Sequence, residues 1–450
     1  MRIFNLILFF TLSWSYTQET VITVDGEKLT LNDGSSFISQ FDSILVGNGE
    51  FGGIVAIIDM DSSSEVLINY EIHNDYKIID EILFQKESGV NIAVLQQLFS
   101  NLTKAHSYNS AQTIVKELRT GYPFIPSNIH LNYGLMNNDR LGVLVNFKPE
   151  FNSHFSGIAG AGRQDDRGWD IAGEVDIHLE NTWRTANITD LVWKRNGDES
   201  QYILFKHEEP YLAGLPFGAK LELIQDLRNR EYVYTNSSGA FSVQLGQRGK
   251  WYFGGGKESI KPTAYGISMG IQPSKAQTFT IEYFSDGRND RWLPTKGFFL
   301  NMKTHIGRVI ETKQKNNLVA QLQFHIEEFL SISERTALRF KFWNGLVLDN
   351  ENHVGQKIRY GGMNTFRGYQ EDIFTSDMIN IISLDMLFTP TEQLQIFSFG
   401  DMSMPTIPMS VGFGLRQLTA NSVMEVSFGW PVDEAFSAGK VHVKFTSLLD

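Results

Sequence analysis

The sequence predicts an all-β transmembrane barrel of about 16 antiparallel strands, preceded by two small α+β domains. Three observations lead to this prediction. Apolar and charged residues alternate with period 2 through residues 150–450, the N-terminus has the pattern of a secretory leader, and the 450 residues include no cysteine. A soluble β-sandwich also alternates, but it has fewer strands and turns its polar face outward. The alternation therefore favours a membrane barrel over a secreted soluble β-protein.

Composition excludes several classes of function. The chain has 39 basic and 51 acidic residues, a net charge of −12. This balance argues against a nucleic-acid binder, because phosphate contacts need clustered Lys and Arg. The lack of cysteine excludes disulfides, thiolate zinc sites and a cysteine nucleophile. A charged fraction of 20%, together with 39 glycines, suits strands and tight turns better than helices.

Residues 1–15 are expected to be a secretory signal peptide. Arg2 supplies the positive start, a nearly unbroken apolar run follows to Leu12, and Ser13 and Ser15 form a small-x-small cleavage pattern. The rest of the chain has no apolar stretch of the length that a membrane helix needs. An exported chain of this kind is either soluble or a membrane β-barrel.

Helical periodicity is confined to the region before residue 120. Residues 75–149 read as one β-α-α-β-β domain, with a helix over 91–104 and a second helix that Ser110 caps and Gly121 ends. Residues 19–74 read as a degenerate version, with a helix at 36–45 and strands near 54–60 and 66–72. We therefore expect two small domains in tandem before the barrel.

From residue 150 onward, one strand face is apolar and the other is charged. A membrane barrel turns the apolar face to lipid and the charged face to a wet lumen, with strands of about 9–11 residues. Representative apolar positions are Val175, Ile177 and Leu179, then Leu338, Phe340 and Phe342, and finally Val441, Val443 and Phe445.

Residues 349–377 interrupt this strand pattern, and a long loop in a barrel usually has a function. The loop reads Gly361-Gly362, a short spacer, then Phe366-Arg367-Gly368-Tyr369. It resembles the inward-folded loop of the BamA/TamA-like superfamily of outer-membrane assembly and secretion barrels. The pattern of that family is Gly-Gly, a spacer, and Val-Arg-Gly followed by Phe or Tyr. Here Phe366 replaces the valine, and the next three residues match.

Further matches follow the order of the family's motifs. Five strands come after the loop, as in the family, and the two small domains resemble its periplasmic POTRA domains. The other matching positions are Pro294-Thr295-Lys296-Gly297, Asp385, Phe399-Gly400-Asp401, Gly412-Phe413-Gly414-Leu415-Arg416 and Gly429-Trp430-Pro431. The resemblance thus covers nearly the whole chain.

The loop residues suggest a lock inside the lumen. An arginine away from bulk water needs carboxylate partners, and its fork suits bidentate pairing. We expect Arg367 to pair with Asp385, Asp401 or both, since these lie on neighbouring strands. Gly368 allows a sharp turn beside Arg367. We expect Phe366 and Tyr369 to pack against the inner wall near Phe399. The alternative is an ordinary surface turn with a solvated arginine.

The resemblance implies a protein that assembles or inserts other outer-membrane proteins, with no enzymatic activity, cofactor or nucleotide hydrolysis. The implied partners are unfolded outer-membrane proteins, outer-membrane lipid, and periplasmic or lipoprotein accessory subunits. The barrel would lie in the outer membrane and the N-terminal domains in the periplasm. Two alternatives stay open, namely a two-partner secretion translocator that exports an exoprotein, and a passive porin.

The implied mechanism uses strand edges. POTRA strands can pair with an extended substrate, and the seam between the first and last barrel strands can open. The first strand is expected over 154–162, where Gly157 and Gly160 weaken packing. Val441, Val443 and Phe445 keep the lipid-facing alternation of the last strand. These five residues are the predicted seam positions.

Signals for other chemistry are weak. Gly266-Ile267-Ser268-Met269-Gly270 matches a nucleophile elbow, but the alternation of residues 264–272 predicts a strand with no helix after it. The histidines are scattered, and no His-Glu-x-x-His pattern indicates a metal site. The glycines at 254–256 lack the strand-loop-helix context of a phosphate-binding loop. We therefore predict that Ser268 has no catalytic role.

Overall fold

The computed structural model describes most of the chain from residue 78 onward and four strands before it. The described ranges are 20–24, 27–31, 53–60, 66–73, 78–84, 89–135, 140–164, 168–196, 200–212, 214–228, 230–244, 248–309, 318–349, 357–405 and 408–449. The predicted signal peptide (1–15) and the predicted helix at 36–45 lie outside the described residues. No helix within these ranges is long and apolar enough to cross a membrane.

The described residues belong to two compact units. The first lies within 1–83, 100–115 and 131–145, and the second within 84–99, 116–130 and 146–450. In the first unit, β1 (Thr20–Val24) pairs with β2 (Glu27–Leu31), and β3 (Gly53–Met60) pairs with β4 (Val66–His73), both antiparallel. The second pair matches the strands that the sequence predicts near 54–60 and 66–72.

The next elements run in the predicted β-α-α-β-β order. They are β5 (Ile79–Phe84), α1 (Ile92–Leu98), α2 (Tyr108–Gly121), β6 (His130–Leu135) and β7 (Leu141–Asn146), with a 3₁₀ turn over Ser100–Lys104 between the helices. The three strands form a sheet in the order β5-β7-β6. This order leaves β5 and β6 at the two edges of the sheet.

The start of α2 differs from the expected position. The helix begins at Tyr108, and the hydroxyl of Ser107 accepts a hydrogen bond from the Ser110 amide at 3.1 Å. Ser107 is therefore the residue that caps the helix, and the prediction that Ser110 does so is wrong. The two serines are three positions apart and either residue type can cap a helix. The choice between them depends on where the helical backbone begins.

The predicted closed β-barrel is confirmed. Among the described residues, sixteen antiparallel strands close on themselves, with the last strand beside the first. The barrel strands are β8 (His154–Gln164), β9 (Gly168–Glu180), β10 (Ile188–Asn196), β11 (Ser200–Glu209), β12 (Gly218–Arg228), β13 (Tyr232–Val243), β14 (Lys250–Pro262), β15 (Ser274–Asp286), β16 (Gly297–Val309), β17 (Leu318–Ser331), β18 (Thr336–Asp349), β21 (Met378–Thr391), β22 (Leu394–Met404), β23 (Met409–Leu418), β24 (Ser422–Pro431) and β25 (Lys440–Leu448). The short strands β19 (Ile358–Tyr360) and β20 (Phe374–Ser376) lie in the loop between β18 and β21.

Alternation along each strand separates a lumen face from an outer face. On β21, Asp385 and Leu387 are fully buried, while Leu384 and Met386 are more than half exposed. The exposed apolar side chains would face lipid in a membrane. The buried face carries most of the charged residues of the barrel, which is the arrangement that the sequence predicts.

The seam between β25 and β8 is short. Only Thr446, Ser447 and Leu448 pair with β8, opposite Ser156, Phe155 and His154. Every other pair of neighbouring barrel strands has at least eight paired positions within the described ranges. The seam is therefore closed at the rim where β8 begins, which we call the N-terminal rim.

Residues near the C-terminal end of α2 contact turns of the N-terminal rim. The Gly249 amide donates to the Thr120 hydroxyl at 2.8 Å, and the Arg119 guanidinium donates to the Arg288 carbonyl at 2.8 Å. Both contacts lie within the second compact unit. They fix the end of α2 against the barrel.

The segment 264–272 is not the predicted strand. It contains α3 (Ala264–Ser268), a short helix in the turn between β14 and β15. The Thr263 hydroxyl accepts from the Gly266 amide at 3.1 Å and starts the helix. A Cβ on Gly266 would lie 1.9 Å from the Glu231 carbonyl oxygen, so only glycine fits this turn. These contacts outweigh the apolar-polar alternation, which is too short here to specify a strand.

Candidate functional site

The loop between β18 and β21 carries the residues that the sequence predicts to form a lumen lock. Its short strands β19 and β20 pair as a hairpin, and Gly361 and Gly362 turn the chain with positive φ angles of 123° and 88°. The Thr365 hydroxyl accepts from the Gly361 amide at 2.9 Å and donates to its carbonyl at 2.8 Å. The hairpin thus holds Phe366 to Tyr369 in a defined turn.

Arg367 binds two carboxylates at once. Its Nε and Nη2 atoms lie 2.9 and 2.5 Å from the two oxygens of Asp401. Nη1 and Nη2 lie 3.1 and 2.7 Å from the two oxygens of Asp385. The Arg367 amide also donates to Asp401 at 3.0 Å. Both edges of the guanidinium fork are therefore paired, which is the strongest geometry available to an arginine.

This cluster is almost completely removed from solvent. Arg367 is 5% exposed, Asp401 1% and Asp385 0%. Burial alone lowers the pKa of the Arg367 guanidinium, but the two carboxylates outweigh it and hold that pKa above its ordinary value. The guanidinium carbon lies 3.7 Å from the centre of the Phe399 ring, a cation–π contact. One cation thus joins the loop to β21 and β22.

The loop tip also depends on glycine. Gly368 has a φ of +87°, and a Cβ there would lie 3.1 Å from the Trp430 amide nitrogen and 3.2 Å from the Gly429 carbonyl carbon. On the other side of this contact, a Cβ on Gly429 would lie 3.0 Å from the Gly368 nitrogen. The two backbones therefore touch, which places the loop tip against β24.

Aromatic rings fill the space around the arginine. Phe366 is fully buried and stacks on Tyr369 with ring centres 4.7 Å apart. Phe366 also belongs to a buried cluster with Tyr360, Ile379 and Ile381. The inward face of β21 is thus apolar beneath the loop and acidic at Asp385. Sequence alternation alone would assign the whole face to water.

Small residues on the next strands make room for the Phe399 ring. A Cβ on Gly412 would lie 2.4 Å from the end of that ring, and one on Gly429 would lie 2.9 Å from it. Gly414 has the same relation to Phe397, at 2.5 Å. The glycines of β23 and β24 that the sequence analysis matched to family motifs therefore create a groove for two rings.

A comparison with known protein families finds one match in the barrel. A model of the Omp85 superfamily domain matches residues 195–387, a stretch that includes the loop and Asp385. This part of the barrel is similar to an Omp85 superfamily domain. Among curated proteins, no sequence matches the chain.

Solved structures share the fold of this chain. BamA from Haemophilus ducreyi lacking POTRA domains 1–3 aligns with a TM-score of 0.54 and 15% identity, covering 96% of this chain and 100% of that one. CdiB from Escherichia coli aligns with a TM-score of 0.56 and 9% identity, covering 96% and 90%. CdiB from Acinetobacter baumannii aligns with a TM-score of 0.50 and 12% identity, covering 94% and 83%. Identities this low establish the fold alone.

Sequence reasoning missed two basic residues of the lumen cluster. Arg339 lies 3.2 Å from the second oxygen of Asp385, and the Lys341 ammonium donates to the Asn364 carbonyl at 2.7 Å. Both residues are on the polar face of β18 that the alternation identified. That face carries a charge at many positions, so the pattern did not show which of them contact the loop. Register could have helped, because Arg339 is directly opposite Asp385.

The predicted seam residues lie outside the paired part of the seam. Val441, Val443 and Phe445 are 65%, 49% and 51% exposed and lie on β25 beyond its three paired positions. Gly157 and Gly160 lie on β8 beyond Ser156, the last residue of that strand paired with β25. Val441, Val443 and Phe445 thus lie on the outer surface, and the two glycines lie on the part of β8 that is not paired with β25.

The motif around Ser268 has no elbow geometry. Ser268 is the last residue of α3, and its hydroxyl donates to the Tyr265 carbonyl at 2.6 Å. A nucleophile elbow places the serine between a strand and a helix, with its hydroxyl directed at substrate. Within the described ranges, no group of three or more His, Asp or Glu side chains is placed to hold a metal ion.

Proposed function

We propose that this chain assembles other β-barrel proteins into the outer membrane, without nucleotide hydrolysis or covalent catalysis. The observation that carries the proposal is the short seam. β8 pairs with β9 along all eleven of its residues but with β25 at three. One edge of the first strand is thus held in extended form while most of its other edge lacks a partner strand.

An unpaired strand edge is costly inside a membrane. Backbone N–H and C=O groups that face hydrocarbon find no water, and each unsatisfied group costs several kcal/mol. An extended segment of an unfolded barrel protein could satisfy these groups by adding itself as a strand. In this mechanism Gly157 and Gly160 weaken side-chain packing at the edge and ease opening. Outer-membrane lipid is the second partner.

The lumen cluster would keep the rest of the barrel rigid while the seam opens. Arg367 connects the loop to β21 and β22, and Gly368 touches β24. These strands precede β25, so the cluster supports the wall beside the moving edge. We therefore assign Arg367, Asp385 and Asp401 a structural role that is required for assembly.

The N-terminal domains would receive substrate first. They would lie in the periplasm as POTRA-like modules, with boundaries near 19–74 and 75–149. The order β5-β7-β6 leaves edge strands that can pair with an extended chain. Periplasmic or lipoprotein accessory subunits would bind the same modules. The signal peptide at residues 1–15 would direct export.

Secretion is the second candidate. The two CdiB structures support it, because their overall folds align with this chain about as well as BamA does. In this reading the loop would leave the lumen and an extended exoprotein would pass through it. A passive porin has less support, since the buried cluster occupies the lumen.

Reconstitution distinguishes these functions. The purified chain is placed in lipid vesicles, and a urea-unfolded outer-membrane barrel protein is added from outside. Assembly predicts faster acquisition of heat-modifiable, protease-resistant substrate in the membrane than in vesicles without the chain. Secretion predicts an exoprotein that becomes protected inside the vesicles. If the chain changes neither rate, the assembly proposal fails.

A further inference from the structure

A cavity at the N-terminal end of the lumen has the chemistry of a carboxylate site. Its volume is about 200 Å³, and the turn between β15 and β16 covers it. Five basic and two acidic side chains line it. The basic residues are Arg288, Arg291, Arg339, Arg416 and Lys444, and the acidic residues are Glu327 and Glu425. We propose that this cavity binds the carboxylate group of a small molecule or of a polypeptide.

The charges around the cavity are incompletely paired. Arg416 binds both oxygens of Glu425 at 2.8 and 3.3 Å, and Glu327 is hydrogen-bonded to His325 at 3.0 Å. Lys444 makes no hydrogen bond or ion pair with the described residues. Glu425 lies directly opposite Lys444 but is held by Arg416, and the five basic side chains of the lining outnumber the two acidic ones, which favours an anion in the space between them.

Arg291 gives the clearest indication of the ligand. Its Nη1 donates to Glu180 at 2.8 Å, whereas its Nε and Nη2 are buried without a hydrogen-bond partner among the described residues. Nε and Nη2 form the edge of the fork that takes a carboxylate side-on. Three other arginines in this barrel each use that same edge to hold both oxygens of an acidic side chain. They are Arg288 with Asp286, Arg416 with Glu425, and Arg367 with Asp401.

Arg339 adds a further donor. Its Nη2 lies 3.2 Å from Asp385, and its Nε is buried without a partner in the described part of the chain. Buried polar groups in folded proteins nearly always have a partner, so donors of this kind indicate a ligand or an ordered water. Because a carboxylate is planar and carries two acceptor oxygens, it fits the free edge of Arg291 better than a single water does.

The covering turn is held firmly enough to position Arg291. Trp292 packs edge-on against His154, with ring centres 5.4 Å apart, and the Gln395 amide donates to the Pro294 carbonyl at 3.3 Å. Glu180, the partner of Arg291, also accepts from the Asn152 amide at 2.9 Å. The site is therefore braced from β8, β9 and β22, which lowers the entropic cost of binding.

The size of the cavity limits the ligand. It holds roughly six waters at about 30 Å³ each, so a group of a few carbons with one carboxylate fits. Trp292, Pro294, Phe329 and Val423 supply apolar wall around the charged groups. Since the free donors are covered, binding requires a neighbouring side chain to shift. Trp292 lies in that wall and is a reporter of the shift.

Isothermal titration calorimetry of the full chain in detergent micelles tests the proposal. The probes are succinate, inorganic phosphate, and acetyl-trialanine with either a free C-terminal carboxylate or a C-terminal amide. We expect the free peptide acid, succinate or both to bind, and the amide not to bind. Binding of the peptide acid alone identifies a polypeptide carboxylate as the ligand, whereas binding of succinate identifies a small carboxylate.

Four variants locate the binding. Arg291→Gln and Lys444→Gln should each weaken carboxylate binding about tenfold, the loss expected for one charge-assisted contact. Arg335→Gln, an exposed arginine of the same rim, should leave the affinity unchanged. The tryptophan fluorescence of the chain should change when a carboxylate binds. Trp292→Phe should remove that change while the heat of binding remains. If Arg291→Gln does not fold, as judged by heat-modifiability, Lys444→Gln decides the question.

The proposal is overturned if neither carboxylate probe binds, or if phosphate binds and carboxylates do not. It is also overturned if Arg291→Gln and Lys444→Gln both bind as tightly as the unaltered chain. These measurements use no assembly substrate, so their result is independent of the proposed function.

Discussion

The Nε–Nη2 edge of Arg367 lies against both oxygens of Asp401, at 2.9 and 2.5 Å, and the backbone amide of Arg367 reaches the same carboxylate. A single acidic side chain on β22 therefore fixes both the backbone and the side chain of the loop tip. Asp385 holds the other edge of the fork. Loop and barrel wall are joined by one ion cluster that has almost no exposure.

Removal of one charged side chain from this ion cluster should leave the remaining buried charges without a partner. Arg367→Ala should loosen the loop while the barrel stays inserted and heat-modifiable. Loss of one partner from a fully buried pair costs ~3–5 kcal/mol, and a wet lumen reduces this figure. Asp401→Ala should loosen the loop as Arg367→Ala does, and the double variant should be little looser than either single variant. The measurement is the rate of protease cleavage within residues 349–377, which should rise in these variants.

A matched control is available in the same loop. Arg359 lies 3.4 Å from Asp226, and its side chain is more exposed than that of Arg367. Arg359→Ala should therefore increase cleavage far less. Equal cleavage in the two variants, or additive effects in the double variant, would show that the cluster does not act as a unit.

Gly368 should tolerate no side chain. Its φ of +87° and its approach to the Trp430 amide make Gly368→Ala strained, by about 1–2 kcal/mol for the left-handed backbone alone. The expected result is a displaced loop tip with faster cleavage. Gly400→Ala is the control, since a Cβ there meets nothing within 4 Å. A loop equally resistant in Gly368→Ala and the unaltered chain would refute the contact with β24.

Thr120 should protect the amide of Gly249. Thr120→Val keeps the side-chain shape and removes the hydroxyl that accepts from this amide at 2.8 Å, a loss of about 1–3 kcal/mol for a buried donor. Hydrogen exchange at Gly249 should therefore become faster. Thr113→Val is the comparison, because its hydroxyl bonds only the Asn109 carbonyl on an exposed face of α2. Unchanged exchange at Gly249 would mean that the rim contact contributes nothing.

Ser268 should be dispensable. Ser268→Ala removes a hydroxyl that bonds the Tyr265 carbonyl at the end of α3, and no elbow geometry surrounds it. We expect the same assembly rate and the same absence of esterase activity in the variant and the unaltered chain. An esterase activity of the purified chain that this change abolishes would contradict the non-enzymatic role.

The parts of the fold that period-2 alternation controls could be predicted from the sequence. Each barrel strand is long, and a one-residue slip would place a whole charged face in lipid, so the pattern specifies both strand and face. The contact of Arg367 with acidic residues of β21 and β22 followed from the rarity of unpaired buried arginines. Family motifs supplied the choice of Asp385 and Asp401.

Other features depend on contacts that no local pattern contains. Arg339 joins the cluster because β18 and β21 become neighbours across a long loop. α3 forms because the Thr263 hydroxyl and the close approach of Glu231 to Gly266 outweigh a short alternation. The length of the seam depends on how the first and last strands meet once the other fifteen strand contacts are made. The free edge of Arg291 likewise exists only after the barrel closes.

A covalent lock of the seam tests the proposed function most directly. Ser156 and Thr446 are directly opposite, and the chain has no other cysteine to compete with a disulfide between Ser156→Cys and Thr446→Cys. Ser427→Cys with His442→Cys joins β24 to β25 in the same way and is the control. Substrate folding in vesicles is measured before and after reduction. We predict that the oxidised seam lock stops assembly and that reduction restores it, while the control assembles normally. Assembly at the normal rate with the seam locked would contradict the account.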